Sequence, residues 1–239
     1  MSRSEFGEIA REHYRRRDYT GAFEALYAQV EGDAGRVPWA DLRPNPILRR
    51  WLDGQKVGWP SRPSGRPTGE TPVPPIPSAA VVGCGLGDDA NLLAEHGYDT
   101  LGFDVAPTAI DWARRRFTHD RLRFEAADLF DLPAEWRGAF ELVIEIYTFQ
   151  SLPLAVRPSA MDSAASLVAP GGTLLVICRG RDEDEPATKL PFPLLKSELG
   201  RISESGLVEA RFEDFMDDEA PPVRRFIAEY ERPRVGATQ

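Results

Sequence analysis

Between the apolar run Ala79–Val82 and a helical pattern starting at Asp89 lies Gly83-Cys84-Gly85-Leu86-Gly87-Asp88. Glycines so placed let the chain turn sharply and let a ligand touch the main chain. A helix starting just behind them offers free amides and a positive dipole end. A tight strand-to-helix turn with one packing glycine has the same spelling. The next apolar run ends on Asp104, where a carboxylate can accept both hydroxyls of a ribose or cap a helix. Further on, Glu145 closes the run Phe140–Ile146, and Tyr147-Thr148-Phe149-Gln150 follow it. Glu145 there can orient an acceptor or take its proton, or be a structural carboxylate bonded to a nearby amide. Tyr147 and Phe149 can wall a pocket, although alternate strand residues face opposite ways and one of them can equally be core. Arg179 and Arg181 can bind an anion; Asp182–Glu185 next to them favours a salt-bridged surface loop. Cys84 reads as a small apolar filler and Cys178 as core.

Two cofactors suit such a corner, a nicotinamide dinucleotide and S-adenosylmethionine. The dinucleotide fingerprint places Gly or Ala where this chain has Asp88, an acid that would face the pyrophosphate. S-adenosylmethionine has no phosphate and carries a sulfonium cation, so the electrostatics favour it. A nicotinamide-dependent oxidoreductase remains an alternative, as does a cofactor-binding regulatory module without chemistry.

These residues need a frame to position them. Short apolar strands at Ala79–Val82, Thr100–Phe103, Leu122–Glu125, Phe140–Ile146 and Thr173–Cys178 alternate with helical patterns at Asp89–His96, Pro107–Phe117, Pro158–Val168 and Leu194–Ser205. That alternation predicts a parallel sheet covered by helices on both faces. Val208–Phe212 and Val223–Tyr230 alternate apolar with polar around the acidic turn Asp217–Pro222, which predicts an antiparallel hairpin at the end. Seven prolines and four glycines between Gly54 and Ser78 predict a linker loop over 54–78. Residues 1–53 read as three short helices, with Thr20 as a candidate cap of the second. So short a segment makes a weak core alone and is expected to cap the domain formed by 79–239, bringing Tyr14 and Trp39 over the ligand.

The ordered segments VVGCGLGDDANLLAEHGYDTLGFD, FEAADLFDLP, FELVIEIYTFQSLP and LVAPGGTLLVI resemble those of the class I S-adenosylmethionine-dependent methyltransferases over about residues 79–232. GCGLGDD, YTFQSLP, PFPLLKSEL and the N-terminal helices look most like the thiopurine and thiol methyltransferase branch. The resemblance implies a Rossmann-like, mostly parallel seven-stranded sheet of order 3-2-1-4-5-7-6 with strand 7 antiparallel. It implies S-adenosylmethionine as cofactor and methyl transfer to a small-molecule S, N or O acceptor by in-line displacement. It places Gly83, Gly85 and Gly87 at the methionine and ribose portions and Asp104 on the ribose hydroxyls. Val105, Ala127, Asp128 and Leu129 fall at the adenine, and Asp88 and Glu145 near the methionine part. Glu145 and Tyr147 are then the candidate catalytic residues, and Tyr14, Trp39, Phe149, Gln150 and Arg179 the candidate acceptor contacts. Many members carry an acid where this chain has Val81, so the partner of the methionine ammonium is expected to be Glu145, Asp88 or a group of the N-terminal cap.

Composition narrows the rest. A net charge of −9 disfavours nucleic acid as a partner. Two cysteines make no disulfide framework and, with three scattered histidines, no metal site. No apolar run approaches the ~20 residues of a membrane helix, and the first residues have no signal-peptide core. The expectation is a cytoplasmic monomer or homodimer, bacterial by its excess of arginine over lysine.

Overall fold

β1 (Ser78–Val82) is phased so that Ala79 and Val81 face one side of the sheet and Ala80 and Val82 the other. Both sides are apolar, so the strand is buried on both faces, as parallel strands must be. The computed structural model, which describes residues 3–30, 32–55 and 76–234, builds around it a seven-stranded sheet of order β3-β2-β1-β4-β5-β7-β6. The other strands are β2 (Asp99–Asp104), β3 (Leu122–Ala126), β4 (Phe140–Ile146), β5 (Val168–Arg179), β6 (Val208–Met216) and β7 (Arg224–Glu231). β1 to β5 pair in parallel, and β7 runs antiparallel to both β5 and β6. The order and the antiparallel seventh strand match the sequence-based expectation.

The helices are α1 (Arg3–Arg15), α2 (Gly21–Gln29), α3 (Pro46–Gln55), α4 (Asp88–Glu95), α5 (Pro107–Arg116), α6 (Arg157–Ser166) and α7 (Lys196–Glu204). Ala80, Val82, Leu101 and Phe103 share one core with α6 and α7. Ala79, Val81, Leu142 and Ile144 share a second with α3, α4 and α5. A third joins Phe6, Ala22, Leu26 and Tyr27 to Leu86, Ala109 and Trp112. The first two helices thus lie on α5 and on the glycine loop. Glu24 fixes them there, accepting from Thr108 Oγ1 at 2.6 Å and from Thr108 N at 3.1 Å.

Several local expectations shift. Thr20 occupies the N-cap of α2 without a side-chain bond; Asp18 Oδ1 takes the Gly21 amide instead, at 2.7 Å. α3 runs to Gln55, past the boundary drawn at residue 53, and β1 starts at Ser78. The proline-rich linker lies over 56–75 outside the described residues. β5 begins at Val168, before Thr173; within it Gly172 packs with no room for a side chain, since a Cβ there would sit 2.9 Å from the Glu141 carbonyl oxygen. No helix among the described residues is long and apolar enough to cross a membrane.

Candidate active site

The strand ends converge on one cavity of about 870 Å³, toward the upper end of the ~300–1,000 Å³ typical of small-molecule pockets. Its first half forms where β1 and β2 end. Gly83 (φ +60°) and Gly85 (φ +53°) take left-handed conformations that only glycine adopts without strain. A Cβ on Gly83 would lie 2.4 Å from Thr148 Oγ1. The Asp104 carboxylate, 9% exposed, accepts from Gly85 N at 2.9 Å through one oxygen and from Ala106 N at 3.0 Å through the other. Each oxygen keeps a further lone pair for a ligand hydroxyl. Desolvation raises the Asp104 pKa, and the two amides oppose the shift. Val105, Ala127 and Leu129 line the same half.

Tyr27 also lines it, deeply buried, with its hydroxyl accepting from Trp39 Nε1 at 3.1 Å. The sequence reading missed Tyr27; its phase on α2 with Leu26 and Phe23 spoke only for packing. Trp39 sits edge-on to Phe6 with ring centroids 4.7 Å apart.

The second half is bounded by the segment after β4, by Leu190 and Pro191, and by the turn Phe215–Glu219. Tyr147 lines it with φ +65°, rare for an aromatic residue. It is held there by its amide, which donates to the Ile177 carbonyl at 3.0 Å, and by Arg225 over its ring, 5.1 Å from the centroid. Gln150 lines the cavity, and its Oε1 accepts from Arg179 N at 2.6 Å. Arg225, 4% exposed, donates to Asp217 at 2.6 Å and to Glu219 at 2.5 Å, fixing the β6–β7 turn on the cavity rim. The acidic turn was expected as part of a hairpin, but neither its place on the cavity nor the role of Arg225 was anticipated; only three-dimensional pairing joins them to β4. Arg181 stays in its own loop, donating to the Pro193 and Glu185 carbonyls, while Arg179 lines the cavity.

Five expected site residues lie elsewhere. Gly87 is a packing glycine: a Cβ there would meet the Phe124 ring at 2.6 Å. Asp128 lies off the cavity lining and takes the Phe130 amide at 2.9 Å. Phe149 is fully buried in the core with α6 and α7. Tyr14 braces the site from outside, its hydroxyl donating to the Ser151 carbonyl at 2.8 Å. Glu145 is also fully buried and points beneath the cavity floor. Its Oε1 accepts from Phe149 N at 2.8 Å, and its Oε2 has no partner. Desolvation pushes its pKa up to about 8, so it is chiefly a neutral carboxyl at pH 7.

Asp88 lines the cavity as expected, but Arg116 neutralises it in a two-pronged pair at 2.6 and 2.7 Å. Its charge therefore does not discriminate between the two cofactors. The sheet order and the comparisons that follow do.

A Rossmann-like α/β sheet with a cavity at its strand ends, lined by Gly83, Gly85 and Asp104, is what fold and site define. A family model for a methyltransferase domain matches residues 80–172. The chain is 27% identical over 187 residues to 2-heptyl-1-hydroxyquinolin-4(1H)-one methyltransferase of Mycobacteroides abscessus, covering 75% of this chain and 73% of that one. It is 27% identical over 156 residues to probable thiol methyltransferase 2 of Arabidopsis thaliana, 63% of this chain and 60% of the relative. Among solved structures, Burkholderia thailandensis 1,6-didemethyltoxoflavin-N1-methyltransferase superposes with a TM-score of 0.63 at 13% identity, over 98% of this chain and 91% of the other. That likeness is one of fold. The chain carries a methyltransferase domain over residues 80–172, and together with its relatives this supports a class I S-adenosylmethionine-dependent methyltransferase with S-adenosylmethionine as cofactor.

Proposed function

We propose that this chain moves the methyl group of S-adenosylmethionine to a sulfur, nitrogen or oxygen atom of a largely apolar, ring-containing small molecule. The observation that carries this is the continuity of the cavity. The corner lined by Gly83, Gly85 and Asp104 belongs to the same cavity as Phe6, Phe23, Trp39, Phe130 and Tyr147. Flat aromatic walls favour flat apolar guests. The Mycobacteroides relative named above acts on a hydroxyquinolone, and the Burkholderia enzyme's structure holds a didemethyltoxoflavin; both support the reading.

The residues fit the cofactor. Asp104 takes the ribose hydroxyls with the lone pairs its amide bonds leave open. Gly83 and Gly85 let the chain pass close to the ribose and methionine parts, and Val105, Ala127 and Leu129 flank the adenine. When bound, S-adenosylmethionine supplies an already activated methyl on a sulfonium. What remains for the protein is positioning and exclusion of water. Tyr147, Gln150 and Arg179 position the acceptor from the β4–β5 side, and the N-terminal helices exclude water over the top. Glu145 acts as a positioning residue: it holds the turn Phe149–Ser151 through the Phe149 amide, and that turn carries Gln150.

Isothermal titration with S-adenosylmethionine, followed by radiolabelled methyl transfer to a panel of hydroxyquinolones, aromatic thiols and nitrogen heterocycles, tests the reading. Micromolar binding and labelled product in at least one class are expected. Binding without transfer to any class would return the protein to the regulatory alternative.

A further inference from the structure

The methionine end of the cofactor carries an ammonium group that needs an anion, and this chain has Val81 where relatives by resemblance carry an acid. Val81 is 2% exposed and lies in the core with α3 and α4, so nothing at that position can serve. The other candidates are committed. Asp88 is held by Arg116, Glu145 lies under the floor, Asp104 faces the ribose side, and Asp217 and Glu219 are held by Arg225; Asp41 and Asp218 also line the cavity but are exposed to water.

Asp89 remains. It opens α4 directly behind the glycine loop and lines the cavity. Its Oδ1 accepts from Asn45 N at 2.7 Å. Among the described residues, no Lys, Arg or His nitrogen forms an ion pair with it. Asp89 is half-buried, and a partly desolvated carboxylate without a cation is favoured when a ligand supplies the charge. We infer that Asp89 is the anion that receives the α-ammonium of the cofactor's methionine portion, in place of the acid missing at Val81. This rests on the cofactor assignment above.

The bond to Asn45 extends the consequence. Asn45 Oδ1 caps α3 by accepting from Ile47 N at 2.9 Å and Leu48 N at 3.3 Å, and Asn45 lines the cavity with Tyr147. One residue therefore joins the ammonium site to α3. Titratable groups facing Asp89 are Asp88 (with its Arg116), Asp41 and Cys84. Desolvation, with Asp88 and Asp41 adding to it, raises the Asp89 pKa to about 6. A cation bound there will favour the ionised form, so binding releases protons near pH 6.

The test compares three ligands by titration calorimetry on the full chain. S-adenosylmethionine has both ammonium and sulfonium, S-adenosylhomocysteine has only the ammonium, and 5′-methylthioadenosine has neither. Asp89→Asn keeps an oxygen for the Asn45 amide and loses the charge. The expected result is at least tenfold weaker binding of the first two with 5′-methylthioadenosine unchanged; that unchanged binding also shows that the variant is folded. Loss confined to S-adenosylmethionine would place the acid at the sulfonium and overturn the inference. Equal loss of all three would make Asp89 structural, and no loss at all would remove its role; either overturns it. A second measurement uses wild type alone. At pH 6, in buffers of different ionisation enthalpy, proton release should accompany S-adenosylhomocysteine and not 5′-methylthioadenosine; equal release for both overturns the inference. If wild type binds none of the three, the cofactor assignment falls and this inference with it.

Discussion

Asp104 and Glu145 show how one residue type takes opposite roles according to strand phase. Asp104 ends β2 at the cavity, each oxygen half-committed to an amide. Asp104→Ala removes the ribose acceptors, and a charged hydrogen bond of roughly 1.5–3 kcal/mol predicts at least tenfold weaker S-adenosylmethionine binding by calorimetry. Glu145 shares its face of β4 with Val143, which points into the core with α6 and α7. Its ordinary pKa is 4.5 and its folded value is about 8. A raised carboxyl pKa favours folding while the group is protonated; that contribution is complete below 4.5 and is lost as pH rises toward 8. Glu145→Gln cannot ionise, so thermal melts should show the variant gaining on wild type between pH 5 and pH 8. Because Gln Oε1 can still accept the Phe149 amide, methyl transfer should persist in Glu145→Gln; a catalytic base would lose it. The alternation of β4 placed Glu145 with Val143 from the sequence alone, but its position at the strand end weighed more heavily in the reading. Asp89, by contrast, had no local signal: its lack of a counter-cation is visible only once Arg116 is seen to reach its neighbour.

At the scale of elements, the glycine loop divides its labour. Gly83 and Gly85 leave room for ligand and for Thr148, whereas Gly87 leaves room for Phe124 and Ala113. Gly87→Ala combines a left-handed conformation (φ +89°) with a clash against packed side chains. Urea unfolding should show a loss of about 2–4 kcal/mol. Arg157 does comparable work on the far side of the sheet. Only 1% exposed, it donates to the Phe149, Leu152 and Phe192 carbonyls and pairs with Glu198 at 2.8 Å. It thereby ties the turn after β4 to the segment before α7. Arg157→Ala leaves those carbonyls without their donor, while Glu198 keeps Arg181 and the Leu195 amide; about 1–3 kcal/mol should be lost, with faster amide exchange confined first to 149–152 and 190–195. Strand existence was legible because most of the parallel strands begin as short apolar runs ended by a glycine or a helix start, whereas the strand order came only with the family resemblance. Which glycine borders the cavity and which packs against a ring was not legible, because Phe124 comes from the neighbouring β3.

At the scale of the molecule, three cores meet around one cavity, and the first two helices contribute to it through side chains rather than main chain. Trp39 joins Phe6 and Tyr27 there. Trp39→Ala leaves the Tyr27 hydroxyl without its donor and opens the upper wall. The rise in Tm produced by saturating S-adenosylmethionine should shrink, since that rise measures ligand affinity for the folded state.

The match to the methyltransferase domain ends at residue 172, whereas the aromatic and charged boundary of the acceptor half comes largely from 39–50, 190–191 and 215–225. Much of the boundary proposed for the guest is thus written outside the stretch that carries the donor corner, although Phe130, Tyr147 and Gln150 lie within it. Exchange of those outer stretches with ones from another family member should redirect which compound is methylated while the donor corner goes on working, a route to new chemistry that never touches the glycine turn.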